Sequence, residues 1–472
     1  MPVCQMAIRR GEARDHMRRA GAVARRVRSR ARWWPRLDRR TVLVLAGWAI
    51  LLVAVRLLGL YVAATREGDL KLGAIPLYGT WDWALTWGLL APVVAGAGLV
   101  AWLPWLCRSW SWRSVLAATA GAGVVFSLAL ALAETHGSVW LDIHNNYARY
   151  ITFVDDAGVG PFLDGYTQRQ LVTDQPVHLR SHPPGVLLFF WAAARVGLDG
   201  PWFENATAMV AVAVAIVAAL AILRDVAGER RARDAAPFLV AAPAAVWHTN
   251  ADVLFGGVAL AGVACLILAT SRTSGTGRSA MLYTLGGGLL AGIALLLSFG
   301  VVLLAIPVVV IAVWRHRQGF RAAWCVVAGG VVAITVVLLP AVWGYWWLDG
   351  FEATRERYHG GVASVRGYWY FVLANVAVFA LALGPAIAVA LARLRDLRVW
   401  LVAGSGLAVV AVADLSGMSS GETERIWQPF MPLVLLAGCA LGRERPLADV
   451  RGWVAVQVVV TVALVAALRV PW

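Results

Sequence analysis

The sequence predicts an all-α integral membrane protein with about thirteen transmembrane helices and one large outer loop that contains short membrane-surface helices. Of its 472 residues, 60% are hydrophobic and 15% are charged, and the mean hydropathy is +0.69. A chain of this size has too little polar surface to fold as a soluble globule. Hydrophobic runs of about 15 to 25 residues recur from residue 41 onward, which is typical of consecutive spanning helices.

Residues 1–40 form a basic tail. This segment contains 13 arginines against Glu12, Asp15 and Asp38, so +10 of the total net charge of +15 lies here. The tail is interpreted as a cytoplasmic anchor beside anionic lipid, and nucleic acid is not expected as a partner. Its basic region is too long for a secretory signal and no small-residue cleavage site follows, so the helix 41–63 is expected to remain.

Thirteen spans are predicted, at residues 41–63, 84–106, 113–133, 203–223, 235–249, 252–270, 281–298, 300–314, 323–345, 368–392, 397–414, 427–442 and 452–469. With the tail in the cytoplasm, 30 of the 42 basic residues lie inside and 18 of the 27 carboxylates lie outside, as the positive-inside rule requires. The spans 235–249 and 300–314 are short, which indicates tilted, broken or paired segments. Gly185–Val196 is too short to cross about 30 Å of hydrocarbon and is predicted to be a half-helix on the outer face.

These predictions divide the chain into four parts. Residues 1–40 are the cytoplasmic tail, 41–112 hold two additional N-terminal transmembrane helices, 113–442 form a transmembrane core, and 443–472 hold a loop and the last helix. The core contains an outer loop at 134–204, with eight carboxylates, four histidines and the run Arg180-Ser181-His182-Pro183-Pro184-Gly185. A loop of this length among short connections indicates function.

Four short motifs, in order along residues 113–442, resemble the GT-C superfamily of membrane glycosyltransferases, which includes protein mannosyltransferases and the lipid A aminoarabinose transferase. They read Trp140-Leu141-Asp142-Ile143-His144-Asn145-Asn146-Tyr147, His182-Pro183-Pro184-Gly185, Asn250-Ala251-Asp252 and Glu424-Arg425-Ile426-Trp427-Gln428-Pro429. In that family an Asp lies just past a spanning helix, an aromatic follows, and the loop ends on a His-Pro-Pro motif. This chain departs from the pattern at Ile143, where the family has Glu, and at Ile426-Trp427, where it has Tyr.

The resemblance implies transfer of a sugar from a polyprenyl-phosphate donor to a glycan, glycolipid or protein acceptor on the outer face of the cytoplasmic membrane. Mannose and arabinofuranose are both compatible with it. It also implies that His144, Tyr147, His182, Asp252, Glu424 and Arg425 bind substrate. No cofactor and no metal are expected, because the nearby carboxylates and histidines have no recognisable metal-ligand spacing.

Asp142 is the predicted catalytic base. Inverting transfer needs a carboxylate that takes the proton of the acceptor hydroxyl, whereas the phosphate leaving group needs no strong acid. Asp155 and Asp156 are rival candidates for the same role. A structural interpretation is also open, in which Asp142 caps the surface helix that contains Tyr147.

Arg425 is the predicted phosphate ligand, because a guanidinium binds a phosphate with two parallel hydrogen bonds. It is equally consistent with an ion pair to Glu422 or Glu424 at a helix end. Asp252 at the start of a span needs an arginine partner or a polar cavity. The sequence X-Pro-Pro makes His182 stiff and extended. A second outer cluster, which either contacts substrate or is solvated, contains Arg355, Arg357, Tyr358 and Arg366.

Two other functions are compatible with the sequence. A multi-span transporter or lipid flippase predicts an internal repeat and ionisable residues at mid-membrane. Neither pattern is evident here, since the charges cluster at the ends of the spans. A non-catalytic envelope-assembly protein does not require so many polar groups in one loop.

Overall fold

The computed structural model of the protein describes residues 37–65, 70–134, 147–172, 175–273, 277–316, 320–442 and 445–470, and these fold almost entirely into helices. The α-helices are Arg39–Thr65, Leu90–Ser109, Trp112–Glu134, Thr152–Ala157, Val159–Asp164, Tyr166–Leu171, Val177–Ser181, Gly185–Ala194, Gly200–Ala227, Glu229–Val240, Ala251–Ala269, Gly277–Leu297, Ala305–His316, Arg321–Leu338, Trp347–Gly360, Val362–Val365, Tyr368–Leu383, Pro385–Arg393, Leu397–Leu415, Thr423–Ile426, Met431–Leu435 and Leu447–Ala467. The 3-10 helices are Trp87–Leu89, Ala148–Tyr150, Pro243–Trp247, Gly300–Leu304, Leu339–Trp343 and Leu436–Leu441. Two short strands, Thr80–Trp81 and Leu468–Arg469, pair antiparallel with Thr80 opposite Arg469.

Within the described ranges, nine helices are long and apolar enough to cross a membrane, and a bent pair brings the number to ten. The chain is therefore an all-α, multi-pass membrane protein, as predicted, although the count of thirteen spans is not confirmed. The predicted spans 300–314 and 427–442 correspond to shorter apolar helices, Gly300–His316 and Met431–Leu441. The predicted span 235–249 is broken into the helix Glu229–Val240 and the 3-10 helix Pro243–Trp247.

The predicted span 368–392 is bent by 94° between Tyr368–Leu383 and Pro385–Arg393. Gly384 lies at the break with a φ of +82°, a conformation open to glycine, and proline follows it. The bend frees backbone groups that lipid cannot satisfy. Gln457, fully buried in the last long helix, donates from Nε2 to the Leu383 carbonyl at 2.8 Å and accepts from the Ala386 N–H at 3.1 Å. One side chain therefore restores both hydrogen bonds.

The helix Ala251–Ala269 joins two polar ends of the bundle and is about 28 Å long at 1.5 Å per residue. At its start, Asp252 forms an ion pair with Arg425. At its other end, Arg315 donates to the Ile267 carbonyl at 2.7 Å and pairs with Asp225. We call the end with Asp252 and Arg425 the site face, and the end with Arg315 and Arg393 the basic face. The sequence predicts that the site face is the outer one.

Short helices between Thr152 and Ala194 pack at the site face. The predicted half-helix is present as Gly185–Ala194, and its first residue approaches the end of the helix Gly277–Leu297. A Cβ added to Gly185 would lie 2.4 Å from the Leu296 carbonyl oxygen, so a side chain there would force the two helices apart. The glycine after the two prolines therefore sets how closely this surface helix packs against the bundle.

Candidate functional site

An arginine bridge between two carboxylates organises the site face. Arg425 donates from Nη1 to Asp252 Oδ2 at 2.8 Å and from Nη2 to Glu422 Oε2 at 2.7 Å. Burial alone would lower the pKa of Arg425, but the Asp252 and Glu422 carboxylates outweigh it and raise that pKa above its usual value. The bridge contains the ion pair to Glu422 that was one sequence interpretation of Arg425, and it adds a carboxylate that lies 173 residues away. The interpretation of Arg425 as a phosphate ligand stays a prediction.

The Asp252 side chain can pair with Arg425 because Asn250, not Asp252, caps the start of the helix Ala251–Ala269. The Asn250 side-chain oxygen accepts hydrogen bonds from the backbone N–H groups of Asp252 and Val253 at 2.9 and 3.3 Å, as an N-cap residue does. Asp252 is 6% exposed, and its carboxylate turns toward the arginine. The prediction that Asp252 needs an arginine partner agrees with this geometry.

Three rings form an aromatic wall beside the bridge. The His182 ring centroid lies 5.5 Å from that of Tyr147 and 5.2 Å from that of Phe255. Burial raises the pKa of Tyr147, Asp252 raises it further, and Arg425 lowers it, so the phenol lies within the field of the bridge. Tyr166 donates from its hydroxyl to the His182 carbonyl at 3.0 Å and helps to hold the turn. We use the name aromatic wall for Tyr147, His182 and Phe255.

A second group of arginines lies next to the His182 turn. Arg357 donates from Nη2 to Ser181 Oγ at 2.6 Å. Burial lowers the pKa of Arg357, and the nearby positive charge of Arg180 lowers it further. The Nε of Arg357 is buried and has no hydrogen-bond partner among the described residues. We call Arg180 and Arg357 the arginine pair; it supplies positive charge and a vacant N–H donor.

Arg366, from the second outer cluster, has a structural role. It is 5% exposed and donates to the carbonyls of Leu70, Lys71 and Ser420 at 2.9, 3.1 and 2.5 Å. It also lies 3.5 Å from Glu422, which it shares with Arg425. Its hydrogen bonds therefore connect the segment that follows the helix Arg39–Thr65 to Ser420, which lies just before Glu422.

Glu424 is fully buried and turns toward the backbone of the N-terminal segment. Its Oε1 accepts a hydrogen bond from the Tyr78 N–H at 2.9 Å, and Oε2 has no hydrogen-bond partner within the described part of the chain. Burial raises the pKa of Glu424 to about 7, against an ordinary value of 4.5. The carboxyl is therefore poised to titrate near neutral pH.

The remaining predicted residues differ in where they lie. Asp142 and His144 fall outside the described residues. Asp155, a rival base, accepts from Trp191 Nε1 at 2.7 Å and pairs with Arg195; both contacts lower its pKa, which makes it a weaker base.

Among residues 37–65, 70–134, 147–172, 175–273, 277–316, 320–442 and 445–470, no group of three histidine, cysteine or acidic side chains has metal-binding geometry.

Phe255 belongs to the site but was not among the residues predicted from the sequence. It follows Asp252 by three residues within one helix, and residues at this spacing share a helix face. The spacing therefore predicts that a ring at position 255 lies beside a functional carboxylate at position 252. The contact between Arg357 and Ser181, which are 176 residues apart, cannot be predicted from a local sequence pattern.

No family model matches this chain, and no curated protein matches it significantly. Among solved structures, the chain is similar to the crystal structure of ArnT from Cupriavidus metallidurans in the apo state, with 17% sequence identity and a TM-score of 0.37. The match covers 60% of this chain and 54% of the ArnT chain, so it spans about half of that protein.

We predict that Glu424 makes stability depend on pH. Its raised folded pKa means that the folded state holds a proton that the unfolded state releases above pH 4.5. The contribution of this group is therefore present below pH 4.5, declines as the pH rises, and is lost by about pH 7. Thermal unfolding of wild type beside Glu424→Gln should show a difference that changes by about 3 kcal/mol across this window and is flat above it. Exposed Glu352→Gln is the control, and parallel curves for wild type and Glu424→Gln would contradict the prediction.

Proposed function

We propose that this protein is a membrane glycosyltransferase that moves a sugar from a polyprenyl-phosphate donor to an acceptor at the site face, with inversion and with Asp142 as the base. The observation that carries the proposal is the combination, at one end of a membrane bundle, of a buried carboxylate–arginine bridge, an aromatic wall and an arginine pair. A lipid-linked sugar needs carboxylates, an aromatic surface and positive charge near the lipid headgroups, because its prenyl tail stays in the hydrocarbon.

The arginine pair is the proposed phosphate site. A donor phosphate is anionic, and its charge increases as the bond to the sugar breaks. Arg357 donates to the neutral Ser181 hydroxyl, and its buried Nε has no hydrogen-bond partner among the described residues. Burial and the positive charge of Arg180 both lower its pKa. In contrast, both Nη groups of Arg425 are engaged by Asp252 and Glu422. Arg425 therefore serves to position the Asp252 carboxylate and to supply positive charge near the phosphate.

The sugar is proposed to lie between the aromatic wall and the bridge. Ligand sites combine apolar and aromatic walls with a few convergent polar groups, and here Tyr147, His182 and Phe255 provide the wall. Asp252, held by Arg425, is the carboxylate that accepts hydrogen bonds from sugar hydroxyls. Glu424 accepts a hydrogen bond from the Tyr78 N–H, and we propose that it supports the bridge.

Asp142 is included in the proposed mechanism because of its position in the sequence. It precedes Tyr147 by five residues, a distance of at most about 18 Å for extended backbone, and Tyr147 belongs to the site. In the proposed step the acceptor oxygen bonds to the anomeric carbon, the bond from that carbon to the phosphate oxygen breaks, and the acceptor proton passes to the Asp142 carboxylate. The phosphate leaves as an anion on the polyprenyl chain.

Asp142→Asn should reduce transfer by at least about 100-fold, because removal of a general base costs two to four orders of magnitude. The measurement is transfer by purified protein in liposomes, supplied with radiolabelled polyprenyl-phosphate sugars and envelope extract. Asp156→Asn, a change of the same kind in the same loop, should retain activity. Normal turnover by Asp142→Asn would remove it from the mechanism. Absence of transfer by folded wild type from every donor would favour transport, tested by lipid movement.

Arg357→Gln should weaken use of the donor by about 10- to 100-fold in kcat/KM, because one charge-assisted hydrogen bond contributes about 1.5–3 kcal/mol. Arg355→Gln provides a matched control, since Arg355 is exposed, lies on the same helix and pairs with Glu352. Initial rates over a range of donor concentrations separate binding from turnover. Equal effects of the two substitutions would exclude a specific role for the arginine pair.

A further inference from the structure

A charged cavity lies at the basic face, at the opposite end of the bundle from the proposed active site. It encloses about 590 Å³ where the helix Arg39–Thr65 begins, Pro385–Arg393 ends and Leu447–Ala467 begins. Five arginines line it: Arg40, Arg231, Arg393, Arg395 and Arg445. We call this cavity the basic pocket.

The described lining of the basic pocket contains five arginines and two aspartates, Asp38 and Asp449, and Arg231 pairs with Asp396 at 3.2 Å. Arginines therefore exceed these three carboxylates by two. Asp38 is paired with Arg393 at 3.2 Å. Arg40 and Arg395 form no ion pair and no side-chain hydrogen bond with the described residues. Two guanidinium groups are thus available within one cavity.

The arginines of the pocket are also crowded. Nη1 of Arg393 is buried and has no hydrogen-bond partner among the described residues. Burial and the neighbouring charge of Arg393 lower the pKa of Arg445, and they outweigh Asp449 and Asp38, which raise it. Like charges held together in a partly desolvated cavity repel, and an anion bound between them relieves the repulsion. The pocket therefore has the donors and the charge to bind a phosphate.

Apolar surface adjoins the basic pocket. Leu37 and Leu397, next in sequence to Asp38 and to the loop of Arg395, are 62% and 69% exposed. The sequence predicts this face to be cytoplasmic, and basic pockets between membrane helices on that side bind anionic lipid headgroups. We propose that the basic pocket binds the phosphate of an anionic phospholipid, whose acyl chains lie along the exposed leucines.

The bound phosphate would fasten the first helix to the core. Among the nine long membrane helices of the described chain, Arg39–Thr65 is the least buried, with 11% of its apolar window inside the bundle. Its side-chain ties include Trp48 to the Ala380 carbonyl at 3.0 Å and Asp38 to Arg393. A phosphate held by Arg40 and Arg395 bridges this helix directly to the loop before Leu397–Leu415.

The test uses the full chain in neutral detergent and measures lipid binding by native mass spectrometry and by thermal unfolding. Phosphatidylglycerol should be retained and should raise the unfolding midpoint, whereas phosphatidylcholine should not. The double substitution Arg40→Gln with Arg395→Gln removes the two unengaged arginines without breaking a described contact, and it should weaken phosphatidylglycerol binding at least tenfold. Arg398→Gln changes an exposed arginine in the first turn of the helix Leu397–Leu415 that does not line the pocket, and this variant should bind as wild type does.

Inorganic phosphate, compared with chloride at equal ionic strength, distinguishes the source of the anion and should raise the midpoint less than phosphatidylglycerol does, because it lacks the acyl chains. A midpoint raised by inorganic phosphate but not by phosphatidylglycerol would overturn the lipid assignment. Equal retention of phosphatidylglycerol by wild type and the double variant, in a folded protein, would overturn the pocket itself. Neither result depends on glycosyl transfer.

Discussion

The site face depends on the bridge from Asp252 through Arg425 to Glu422. A charge buried in a membrane protein is costly unless it is paired and hydrogen-bonded, so the start of the helix Ala251–Ala269 and the segment before Thr423 must meet. Glu422 contributes by adopting a φ of +61°, a strained conformation for a residue other than glycine that is found at functional sites. Arg366 extends the network by tying Glu422 to the carbonyls of the N-terminal segment.

The two ends of the bundle use arginine differently. At the site face, the Nη groups of Arg425 are engaged by carboxylates and those of Arg366 by carbonyls, whereas Arg357 donates to the neutral hydroxyl of Ser181. At the basic face, arginines exceed carboxylates within one cavity. Arginine therefore supports structure at the bridge, and we propose that it binds anions at the arginine pair and in the basic pocket. This distinction separates the proposed donor site from its scaffold.

Much of this arrangement follows from the cost of polar groups in lipid. That cost predicts spanning helices and a partner for Asp252, and the X-Pro-Pro sequence predicts a stiff turn at His182, all from local sequence. The bend at Gly384 was not predicted, because it depends on Gln457 from a distant helix that restores the lost hydrogen bonds. The same is true of Arg357 and Ser181, whose contact is set by tertiary packing. The role of Asp142 rests on its motif and on its closeness in sequence to Tyr147.

The most direct test of the central claim is photolabelling with a polyprenyl monophosphate that carries a diazirine in its first isoprene unit, since this probe requires no knowledge of the sugar. Labelled peptides should contain His182 or Arg357, and labelling should fall with Arg357→Gln and with excess unlabelled polyprenyl phosphate. Labelling confined to peptides of the basic face, or equal labelling of wild type and Arg357→Gln at the site face, would contradict it.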